Sequence, residues 1–158
     1  MTITRNESIK SQAQEVCQID GLECWIVPPG NAAGHRGLNG YVVYPVRPVK
    51  EDGYGGIMTY VPVHGGITYA EEDESGMVYG FDTAHHDSEQ FPRNDSEWIK
   101  EQIKVMIDGI KVAAEVEQEY LASDDNNKRA DLCQRVLNVQ PSQWQNFGVM
   151  INLLTGKV

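Results

Sequence analysis

No run of apolar residues in this chain approaches the roughly 20 needed to span a bilayer, so a membrane-spanning protein is not expected. The first residues, Met1-Thr2-Ile3-Thr4-Arg5-Asn6-Glu7-Ser8, are polar and lack the apolar core of a secretion signal, which points to the cytoplasm. Cysteine is scarce: Cys17, Cys24 and Cys133 are odd in number and none stands in a CxxC pair. Reduced thiols are expected, not a disulfide or zinc framework. Basic residues are also few, 13 against 23 acidic, for a net charge of −10. A phosphate backbone is held by clustered Lys and Arg, so direct nucleic-acid binding is not expected. The same charge permits a basic protein partner, a cationic ligand or mimicry of nucleic acid, with simple solubility the plainer reading.

Phosphate-loop signatures are missing as well. The glycine-rich segment 30–40 has neither GxGxxG nor a GKS/GKT ending and reads as a loop. His35 and Arg36 are available to a ligand from it, although a solvated pair is the plainer reading.

What is present is one domain of 158 residues in three regions: a polar N-terminal segment over 1–20, a sheet region over 21–93 and a helical region over 94–158. A short helix is expected over about 8–18, from Ile9, Ala13, Val16 and Ile19. Strands follow at Glu23 to Val27 and Tyr41 to Val46, and a long β-like run from Ile57 to Ala70 keeps its apolar residues in one phase. Glu71-Glu72-Asp73-Glu74-Ser75 is too charged for a strand interior and reads as a turn, with a strand resuming at Gly76.

The clearest element is a helix over about 96–122, capped by Asn94 with Glu97 as its capping-box partner. Ile99, Ile103, Met106, Ile107, Ile110, Ala113, Ala114 and Leu121 form its apolar stripe, and charged residues line the other side. A second helix is expected over about 127–137. A third opens at Pro141-Ser142, with Trp144, Phe147 and Ile151 available to the core or to a homo-oligomer interface. The fold class is α+β: an antiparallel sheet of four or five strands against the long helix, with further C-terminal helices.

Three of the four histidines lie in and just after the hairpin that joins these strands. A turn centred on Asp73 pairs Ala70 with Gly76, Thr68 with Val78, Gly66 with Gly80 and His64 with Asp82. Alternation then puts Ile67, Tyr69, Met77, Tyr79 and Phe81 on one face. The other face becomes a bare shelf around Gly66 and Gly80, open to a ligand, and ends in His64 and Asp82 with His85, His86 and Asp87 just beyond.

Imidazole, carboxylate and imidazole from one corner make a workable set for a divalent metal, or an acid–base pair in which the carboxylate fixes the histidine tautomer. His64, Asp82 and His85 are thus the candidate catalytic or metal residues. Gly65, Gly66, Thr68, Gly80, Tyr41 and Arg36 are the candidate ligand contacts. A purely structural His–Asp pair is the plain alternative.

The segments Asn39-Gly40-Tyr41-Val42, Val63-His64-Gly65-Gly66-Ile67-Thr68-Tyr69 and Gly80-Phe81-Asp82-Thr83-Ala84-His85, with a long helix after them, resemble a family of small phage and prophage proteins over about residues 40–121. The resemblance brings no fold, cofactor or reaction. It implies that His64, Asp82 and His85 belong together and that the gene is a phage accessory one, acting in the host cytoplasm. His86 stands where a small residue is expected after His85, so which histidine turns inward stays open.

Three functions fit: binding a small molecule or metal to counter host defence, for example by sequestering a nucleotide signal with Tyr41, Tyr44, Tyr54, Arg36 or Arg47; a hydrolase using activated water, since no serine or cysteine motif suggests a covalent nucleophile; or an acidic inhibitor of a host protein.

Overall fold

The computed structural model describes residues 2–30, 37–50, 55–85 and 88–140. Arg36, His35, Tyr54, His86, Asp87 and the helix expected from Pro141 lie outside them, and with that helix the expected oligomer interface.

The protein is α+β. Strands β1 (Glu15–Ile19), β2 (Leu22–Val27), β3 (Asn39–Tyr44), β4 (Tyr69–Asp73) and β5 (Gly76–Phe81) form one antiparallel sheet in the order β1-β2-β3-β5-β4. Helices α1 (Arg5–Ser11), α2 (Ser96–Ala122) and α3 (Asn126–Leu137) complete it. Among the described residues no helix is long and apolar enough to cross a membrane.

Helix α2 follows its periodicity. Ile99, Ile103, Met106, Ile107, Ile110 and Ala113 are fully buried against Ile26, Val42, Tyr79 and Phe81 of the sheet. Each such Ile or Met side chain stabilises the fold by about 1.5–3 kcal/mol relative to exposure. The stripe ends at Tyr120, because Leu121 faces solvent. The cap is Asp95, one residue after the expected Asn94: its Oδ1 accepts from the Glu97 backbone N–H at 2.9 Å. At Gly109 a β-carbon would stand 2.7 Å from Val61 Cγ1, so the glycine lets the 56–63 segment lie directly on the helix.

Three expectations need correction. The N-terminal helix is shorter than expected and ends at Ser11, and Glu15–Ile19 is a strand instead. Asp20 and Gly21, with φ of 54° and 77°, make the tight turn that folds β1 back onto β2. The long run from Ile57 is not a strand either. Gly56–Tyr60 is a 3-10 helix that buries Ile57, Met58 and Tyr60, and Pro62 with the Gly65-Gly66 turn keeps the chain out of the sheet until Tyr69.

The third correction concerns the hairpin. Tyr69 pairs with Gly80, Ala70 with Tyr79, Glu71 with Val78 and Asp73 with Gly76, so the turn is Glu74-Ser75 and the register lies three residues from the expected one. An odd slip exchanges the faces of β4 relative to β5. Met77, Tyr79 and Phe81 face α2, whereas Tyr69 joins Val78 and Gly80 on the outer face. The glutamates are tolerated because β4 is an edge strand. Arg5 pairs with Glu71 at 2.9 Å and Asn6 Nδ2 donates to the Glu71 carbonyl at 3.1 Å.

The outer face is therefore no bare shelf. Trp25, Val27, Val43 and Val78 form a second small core with Tyr41 and Tyr69, covered by Ile9 and Ala13. The Tyr41 ring occupies the space where a Gly80 side chain would stand and meets Tyr69 edge-on at 5.5 Å.

Candidate functional site

One end of the sheet carries His64 and His85. Gly66 N–H donates to the Val63 carbonyl at 2.8 Å, closing a turn that needs positive φ at Gly65, which has 72°. That turn points His64 inward, where only 3 % of it is exposed. Its ring packs against Phe91 at 4.8 Å and Trp98 at 5.3 Å, and its backbone N–H donates to Gln102 Oε1 at 3.0 Å.

His85 comes from the loop after β5. Its ring lies over Gly65 in the space a β-carbon would take, 5.8 Å from the His64 ring. Asp82 Oδ1 accepts from the Ala84 backbone N–H at 3.0 Å and sits 3.4 Å from His85 Nε2. That gap is long for a hydrogen bond, and among the described residues His85 Nε2 has no hydrogen-bond partner.

Ser88 links the His64 imidazole to the His85 backbone. It is fully buried, lies 2.8 Å from His64 Nε2 and accepts from the His85 backbone N–H at 3.2 Å. With its oxygen engaged twice and shielded from solvent, Ser88 positions the histidines and is not placed to attack a substrate.

His85 thus lies beside both His64 and Asp82, and His64 and Asp82 are not the expected cross-strand partners. His64 is in a turn, and the residue opposite Gly80 is Tyr69. Of the expected ligand contacts, Gly65, Gly66 and Thr68 reach the surface, Gly65 against the His85 ring, and nothing lies within 4 Å of a β-carbon built on Gly66. Gly80 is buried beneath Tyr41 and is closed to a ligand. Burial, with the Asp82 carboxylate nearby, pushes the Tyr41 phenol above its ordinary range. Among the described residues no group of three or more His, Cys, Asp or Glu side chains is arranged to hold a metal ion.

Sequence reasoning missed Ser88, Phe91, Trp98 and Gln102. Gln102 left a readable mark, a polar residue inside the apolar stripe between Ile99 and Met106, where burial demands a hydrogen-bond partner. Ser88 left none.

No protein-family model, curated protein or solved structure matches this chain.

Proposed function

We propose that the protein is a phage-type accessory protein that binds a small molecule at the His64–His85–Asp82 corner. The observation that carries this reading is the half-exposed His85 ring seated on bare Gly65 backbone, with its Nε2 3.4 Å from Asp82 and the neighbouring imidazole braced by buried Ser88. Holding a ring this way costs conformational freedom and a glycine at positive φ, and such preorganisation suits recognition. The open backbone at Gly66 and the exposed Thr68 add hydrogen-bonding groups beside it. The net charge of −10 disfavours a highly phosphorylated ligand, so a nucleotide-derived signal with a single phosphate fits better.

The test is a titration of the full chain with AMP and, separately, with Zn2+, followed through the histidine ring 1H–13C resonances. Saturable shifts of His85 that disappear in His85→Ala and shrink in Asp82→Ala are expected with AMP. Shifts with Zn2+ alone would replace the organic ligand by a metal. Silence of His85 and His64 towards both probes would refute the reading. The Asp82–His85 contact also favours a second reading, a hydrolase in which His85 activates water and Asp82 orients it. Turnover of bis-p-nitrophenyl phosphate that His85→Ala abolishes would distinguish it from binding alone.

A further inference from the structure

The sheet's outer face carries a cavity, at the end away from His64 and His85 and independent of them. Helix α1 is only seven residues long and covers part of that face. Beside it a cleft of about 360 Å³ remains open between α1, the β1–β2 turn and the β4–β5 turn, within the range of small-ligand sites. Its floor is apolar, made by Leu22, Trp25, Val43 and Pro45.

Its rim is acidic: Glu7 from α1, Glu23 from β2 and Asp73 from the end of β4, against a single cation, Lys10. Lys10 pairs with Glu23 at 3.0 Å, and among the described residues no Lys or Arg pairs with Glu7 or Asp73. The carboxylates are fixed in place. Asp73 accepts from Ser75 N–H at 2.8 Å and from Thr4 Oγ1 at 3.4 Å, and Glu23 Oε2 accepts from Trp25 Nε1 at 2.7 Å. Against the desolvation it suffers, the hydrogen bonds of Asp73 hold its carboxyl below the ordinary range, and the Trp25 and Lys10 hydrogen bonds do the same for Glu23. Both are therefore charged at neutral pH.

An apolar floor with an excess of fixed negative charge selects by sign as well as by shape. A neutral apolar ligand would leave Glu7 and Asp73 without a countercharge, and an anion would be repelled. We propose that this cleft binds a small organic cation, an alkyl- or arylalkyl-ammonium whose apolar body lies over Leu22, Val43 and Pro45 while its ammonium faces Asp73 and Glu23.

Phenethylammonium is a suitable probe and phenylacetate its control, nearly the same shape with the opposite charge. Titrated into the full chain, phenethylammonium is expected to shift the Trp25 indole N–H resonance saturably, and phenylacetate to leave it in place. Glu23→Gln with Asp73→Asn keeps hydrogen-bond acceptors at both positions and should weaken the phenethylammonium affinity at least tenfold. His85→Ala should leave that affinity unchanged, so failure here and failure at the histidine corner are separable. If the double variant does not fold, Glu23→Gln alone serves, with a weakening of at least threefold expected. No saturable shift, an equal response to phenylacetate, or carboxamide variants that titrate like the parent chain would each overturn the proposal.

Discussion

Gly65 and Gly66 are adjacent, share the left-handed region of backbone space and differ in one respect that separates stability from function. Gly66 has φ 81° and nothing within 4 Å of where a β-carbon would stand. Gly66→Ala therefore costs only the conformational penalty of an L-residue at positive φ, about 1–2 kcal/mol. Part of it is offset by the smaller freedom of alanine in the unfolded chain, about 0.4–1 kcal/mol. The net loss is about 1 kcal/mol, which for a chain of this length lowers Tm by about 2–4 °C.

Gly65 has φ 72° and pays the same penalty, but its new β-carbon would fall inside the His85 ring. That ring is half-exposed and hinged on a loop, so it can swing into solvent without disturbing the core. Gly65→Ala should match Gly66→Ala in Tm to within about 3 °C, the spread of 1 kcal/mol at this size. It alone should move the His85 ring resonances to solvent-like positions and abolish any response of that ring to a ligand. Calorimetry and histidine ring spectra on the two variants decide the matter. A Gly65→Ala protein with native His85 resonances, or a Gly66→Ala protein that displaces them equally, would refute the account of how the ring is held.

Ser88→Ala removes from the interior the one oxygen that serves both His64 Nε2 and the His85 N–H. A loss of about 1–3 kcal/mol in urea unfolding is expected, with a shift of the His64 ring signals; a loss under about 0.5 kcal/mol would show the serine to be dispensable. Stability should fall as pH rises through the alkaline range. Burial pushes the Cys24 and Cys133 thiols and the Tyr60 and Tyr79 phenols up to about 12. The unfolded chain releases these protons from about pH 8.5 for cysteine and about 10 for tyrosine. Between those values and about 12 it binds fewer protons than the folded chain, which favours unfolding. Urea midpoints at pH 7, 9 and 10.5 should decrease in that order, and a flat series would contradict the burial of these groups.

Helix α2 was legible because its signals are local. A stripe at 3.6-residue spacing with acidic caps determines α2 almost to the residue, and packing against a sheet only reinforces what the helix already prefers. The strands were less legible where distant partners decide them. Glu71 and Glu72 read as a turn, yet they extend β4 because Arg5 and Asn6, far away in sequence, satisfy its outer edge. Asp20-Gly21 was a local hairpin signal that the helical spacing of Ile9, Ala13, Val16 and Ile19 obscured. At the candidate site, the link between His64 and His85 through Ser88 depends on how the loop after β5 folds back onto the turn before β4. No periodicity records that.

The register of one hairpin decides what the glycines are for. With Tyr69 opposite Gly80, the missing side chain at Gly80 makes room for the Tyr41 ring. Tyr69 then turns outward, where its hydroxyl donates to Asn6 Oδ1 at 2.6 Å and helps dock α1. Gly80 thus serves packing, and a ligand would have to displace an aromatic cluster to reach it. Gly65 is the opposite case. Its bare backbone is covered by one half-exposed imidazole and borders open space at Gly66. The glycine worth testing for function is therefore the one in the turn, at the end of the sheet, where a ring is held over backbone instead of buried within a core.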